Sequence, residues 1–300
     1  MKIKKKFNLL IILSILILSS LVMHASYKFI KNEKNLQNIE QSIIDECLYN
    51  ENTDYPEKTC NSIIENGITK YDFFWMLYAV TVEPLNPIMI IIILFLTIPS
   101  LYYVSKLLKN RYIINSSSRE NYKSFVKKML KEAYKPVIIL PITILLGFII
   151  CYIHTGTLNI DYSLKAGSTL WKIENIKQPL LFLTLYMTNI IIHSILYINI
   201  GLIIVRKYHN FYISNILSFL TLFGLEAILE IIFGTFIFNY IFKIDIWIIV
   251  NIMNMFTFND YHGLGLNMIT PTIMMILSCI LVYYLYKNKE NLIIDCERND

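Results

Sequence analysis

Long apolar runs alternate along the chain with polar stretches of contrasting charge. The runs lie at about residues 7–23, 87–107, 136–154, 179–205, 211–242 and 271–286. A helix needs about 20 apolar residues to cross some 30 Å of hydrocarbon, and these runs cluster around that length. Backbone groups in hydrocarbon must find their hydrogen bonds within the element, so the runs are expected to be helices. Their lengths exclude the roughly 10-residue alternating strands of a membrane barrel. The pattern therefore predicts an all-α fold, a polytopic membrane bundle of six transmembrane helices.

The polar stretches orient it. Residues 106–135 hold nine Lys or Arg against two acids, Glu120 and Glu132. Short basic loops stay on the cytoplasmic side. Residues 24–85 instead carry ten acids and five basic residues, as suits the opposite face. Six crossings put both termini in the cytoplasm, and the inside segments then hold 18 of the 27 Lys and Arg. The apolar piece at 244–258 is too short to cross and reads as re-entrant or interfacial; as a seventh span it would also carry the tail lysines outside. The expected organisation is a cytoplasmic N-terminus and first span (1–23), an extracytoplasmic segment (24–85), and five further spans with the basic loop (86–300).

Composition sharpens this. Only 16% of residues are charged and 55% are apolar, where a soluble domain has about 25% charged. The net charge of +5 resides in particular loops, so it speaks for topology and not for a nucleic-acid partner. The excess of Ile, Asn and Lys is that of an AT-rich genome, and a bacterial plasma membrane is the expected location. The start, MKIKKK before an apolar core, has the form of a signal peptide. Met23–His24–Ala25 is a poor small-x-small cleavage site, so an uncleaved span is expected.

Candidate chemistry is sparse. Within 35–48, Leu36, Ile39, Ile43 and Cys47 have helical spacing. Cys47 and Cys60 share an outward-facing segment, where they form either a disulfide or two separate thiols. Cys151 and Cys279 fall in spans and Cys296 in the tail. No CxxC pair is present, and no metal or cofactor is expected.

In the basic loop, Ser117-x-x-Glu120 has the form of a capping box. The helix it would open, from Arg119 to residue 134, sets Tyr122, Phe125 and Met129 on one face and lysines 123, 127, 128 and 131 over much of the rest. Such a helix either lies on anionic lipid or docks its aromatic face on a cytoplasmic partner.

In the fourth span, Tyr186, Asn189, His193 and Tyr197 share one face by their spacing. Glu226 and Glu230 sit one turn apart in the fifth. Acidic groups in a span face protein or water. They either line a path for a cationic substrate or proton, or join Asn189 and His193 in an interhelical polar cluster. A metal site at Glu226, Glu230 and His193 would rest on two helices of unknown relative placement. There is no HExxH, no GxSxG and no GxxxxGK[ST] loop, so no enzymatic activity is expected of this chain.

This layout resembles the permease subunit of type-2, exporter-like ABC transporters. The corresponding pieces are the six spans, the amphipathic loop helix with Ser117, Arg119, Glu120, Tyr122, Phe125 and Met129, and the short segment 244–258. The resemblance implies an ATPase-coupling role for the loop helix. It also implies a separate cytoplasmic ATPase subunit and a second permease copy or paralogue. The alternative is a non-transporting immunity or sensor protein that works through residues 24–85.

Overall fold

The computed structural model describes residues 2–49, 73–109, 121–156, 158, 179–243, 252–253, 255–256 and 268–288. Every regular element among them is helical. Six helices are long and apolar enough to cross a membrane, so the chain is a multi-pass membrane protein.

Helix α1 spans Lys2–Tyr49. At 1.5 Å per residue it is about 70 Å long, more than twice the thickness of the hydrocarbon core. The pieces expected at 7–23 and 35–48 are one continuous helix. The intervening stretch HASYKFIKNEK has neither Gly nor Pro to interrupt it.

Helix α2, Phe73–Leu85, brings the end of segment 24–85 into the bundle. Phe73, Phe74, Met76, Leu77, Val80, Val82 and Leu85 are buried. It packs on α1 and on α5 (Ile139–Thr155). The fit is close at Gly147 of α5, where an added Cβ would stand 2.7 Å from Thr81 Cγ2. The segment is acidic on average, but FFWMLYAVTV near its end is apolar and is drawn into the core. Residues 86–88 form a turn containing Pro87, so helix α3 starts at Met89 and runs to Lys109.

Helix α4 is Tyr122–Ala133. A tight turn at Lys135–Ile138, containing Pro136, leads into α5. Helix α6, Pro179–Lys207, is the axis of the bundle. Its most apolar stretch is 72% buried, against 17% for α7 (Phe211–Ile241) and 22% for α8 (Ile269–Lys287), so α7 and α8 turn most of their surface outward. Helix α6 touches α3, α5, α7 and α8. Asn210 caps α7 by accepting from the Tyr212 amide at 2.9 Å. From Ile228 to Ile241 the helix widens to π geometry.

The basic termini gather at one end. Lys4 Nζ reaches Glu132 of α4 at 3.0 Å, and the Phe7 ring lies 5.0 Å from that of Tyr103 near the end of α3. Arg206 Nε donates to the Leu285 carbonyl at 3.3 Å. At the far end, His154 pairs with Glu33 at 2.6 Å.

Candidate functional site

Two places concentrate the polar chemistry. The first is the seat of α4 at the basic end. Asn121 is extended and its side chain accepts from the Lys123 amide at 3.1 Å. The helix therefore starts at Tyr122 under an Asn cap, three residues later than expected. Asn caps as well as Ser does. Ser117, Arg119 and Glu120 lie outside the described residues.

Tyr122, Phe125 and Met129 do share a face, and that face is filled by the protein itself. Phe125 and Met129 are buried with Val126 and Ala133. They pack with Leu101, Val104 and Leu108 of α3 and with Val282 and Tyr286 of α8. A partner would meet the other surface, where Lys123, Lys127, Lys128 and Lys131 are exposed.

Polar bonds fasten α4 and the residue that ends it to four spans. Tyr122 Oη donates to the Tyr286 carbonyl of α8 at 2.7 Å. Ser100 Oγ of α3 donates to the Ala133 carbonyl at 2.6 Å. The Tyr134 hydroxyl donates to the Asn199 side-chain oxygen of α6, and Asn199 Nδ2 passes the chain on to Ser278 Oγ of α8 at 2.9 Å. Glu132 pairs with Lys4 of α1 at 3.0 Å and with Lys135 at 2.7 Å. Partial burial pushes the Glu132 carboxyl up, but bonding to Lys135 and Lys4 outweighs it and holds the group below the ordinary carboxylate range.

The second place lies deeper. Tyr186, Asn189, His193 and Tyr197 are all buried on one face of α6, as their spacing predicts. Glu226 of α7 is buried too. What joins Asn189, Tyr197 and Glu226 is the backbone at Ile252, Met253 and Met255, which is not helical and lies inside the bundle. Glu226 Oε2 accepts from the Ile252 amide at 2.8 Å, and the carboxylate also reaches the Met253 amide. Tyr197 Oη donates to the Ile252 carbonyl at 3.1 Å. Asn189 Nδ2 donates to the Met255 carbonyl at 3.2 Å.

Irregular backbone at membrane depth persists only where protein groups satisfy its N–H and C=O. Glu226, Tyr197 and Asn189 supply those groups, so together they clasp the turn. His193 stands beside the clasp. Its Nδ1 bonds the Asn189 carbonyl at 2.9 Å within α6, and its ring meets Tyr197 edge-on at 6.0 Å. Glu230 lies next to the Glu226 carboxyl.

Of the residues grouped from sequence, Asn189 and Glu226 meet at the turn together with Tyr197, while His193 bonds Asn189 within α6 and Glu230 neighbours Glu226 within α7. Among the described residues no group of three His, Cys, Asp or Glu converges to hold a metal. Cys47 is disulfide-bonded, and its expected partner Cys60 lies outside the described residues.

Ser100, Tyr134, Asn199 and Tyr286 take part in these bonds, and the sequence reading does not single them out. Their signal is present there, as isolated polar atoms in apolar surroundings. The chain matches no protein-family model, no curated protein and no solved structure.

Proposed function

We propose that this chain is the permease subunit of an ATP-driven, ABC-type export system in a bacterial plasma membrane. It works with a separate cytoplasmic ATPase subunit and a second permease copy, with both of its termini in the cytoplasm. The observation that carries the reading is the fastening of α4 to α1, α3, α6 and α8. A surface helix that only rested on lipid would need no such bonds.

Helix α6 links the two polar places. Asn199 is tied to Tyr134 beside α4, and Asn189 holds the buried turn. Ten residues of helix separate them, about 15 Å. A displacement of α4 by the ATPase reaches the turn through α6, and the turn is the part of the path that opens or closes. Glu226 acts here as a positioning residue for that turn.

The test is charge reversal on the outer face of α4. Lys127→Glu with Lys131→Glu should abolish capture of the ATPase while the purified chain keeps its melting temperature. Unchanged capture would remove α4 as the coupling element. The length of α1 beyond its span favours a second reading, an immunity or sensor protein acting through residues 24–85. Under that reading function depends on the outer segment and survives the lysine reversals.

A further inference from the structure

We propose that the chain holds an anionic phospholipid headgroup in a basic cavity between α4 and the end of α8. The cavity has a volume of about 410 Å³, within the range of small-molecule sites. Lys123 and Lys127 of α4 and Lys287 of α8 line it, and none of its described lining residues is acidic. Val126, Leu130 and Tyr283 form its apolar wall.

Its two sides are joined. Tyr122 Oη donates to the Tyr286 carbonyl at 2.7 Å, and Lys287 Nζ lies 5.6 Å from the centre of the Tyr283 ring. Lys287 is the last residue of a membrane-crossing helix, so the mouth lies at the level of the phosphate layer. Tyr283, Tyr284 and Leu281 on the same helix are exposed and face the acyl region. A phosphate on the lysines with chains running down α8 uses both the charge and the apolar wall, whereas a soluble anion uses only the charge. The cavity on the other side of α4 also has three lysines, Lys4, Lys5 and Lys128, but Glu132 stands among them. The proposal does not depend on the permease reading.

The test uses the purified full chain in neutral detergent and native mass spectrometry. The probes are dioctanoyl phosphatidylglycerol and dioctanoyl phosphatidylcholine, with inorganic phosphate as competitor. Phosphatidylglycerol should bind preferentially. Lys123→Gln, Lys127→Gln and Lys287→Gln should each weaken it about fivefold, and the triple variant at least about tenfold. The equal-charge control Lys4→Gln/Lys5→Gln/Lys128→Gln should change it less than about twofold. Equal binding of phosphatidylcholine, or equal loss in the control, would overturn the site. Displacement by inorganic phosphate would assign it to a soluble anion. Binding seen only after removal of residues 289–300 would assign it to the chain's own tail.

Discussion

Replacing Glu226 by Leu should release the buried turn while leaving the spans in place. The carboxylate accepts from the Ile252 amide at 2.8 Å and reaches that of Met253. A hydrogen bond contributes about 0.5–1.5 kcal/mol net, and an amide stranded away from water costs about 1–3 kcal/mol. Leu also removes the cost of burying a carboxyl group, which offsets part of the loss. A net of about 2 kcal/mol raises the opening of the turn about thirtyfold. Glu226→Gln keeps a carbonyl oxygen in the same place and should raise opening no more than about fivefold. Hydrogen exchange of the peptide containing Ile252 and Met253, in detergent, reads the opening, with a peptide from α3 as internal control. Leu exchanging like the wild type would show that the bond does not hold the turn. Gln exchanging as fast as Leu would show that charge, and not the acceptor atom, is what matters.

Phe125→Asp places a carboxylate in the packed seat of α4 and should cost several kcal/mol, seen as loss of folded protein in a melt, while Phe125→Leu folds; an unchanged melt for Asp would refute the inward face. Gly147→Ala drives a methyl toward Thr81 Cγ2, 2.7 Å away, and should lower stability by about 1–3 kcal/mol. Thr81→Ser removes that methyl and should restore most of the loss, and absence of rescue would show that the clash lies elsewhere. Glu132 has a lowered carboxyl pKa in the fold, so its ion pairs stabilise above the unfolded value, near about 4.3, and are lost as pH falls through the lower folded value. The stability gap between wild type and Glu132→Gln, at most about 1 kcal/mol, should therefore close in acid, and a gap that widens there would refute the pairing.

Much of the architecture was legible because bilayer thickness and charge asymmetry act on whole segments. The face shared by Tyr186, Asn189, His193 and Tyr197 followed from helical spacing alone. Periodicity says which residues share a face, however, and not what covers it. Phe125 and Met129 were therefore grouped correctly, while their burial on α3 and α8 was not foreseen. Helix α2 was hidden by averaging, since an acidic segment masked its apolar end. The start of α4 at Tyr122 was not legible either, because Tyr122 is anchored to Tyr286, far away in sequence. The clasp escaped for a different reason. Two of its members are backbone amides at Ile252 and Met253, and an amide has no letter in the sequence.

The measurement to make first is purification of the tagged chain in mild detergent, with the co-purifying subunits identified and counted. A permease subunit brings down an ATPase in stoichiometric amount, and Lys127→Glu with Lys131→Glu releases it. Recovery of the chain alone, under conditions that preserve a known transporter complex, would overturn the permease reading and move attention to residues 24–85.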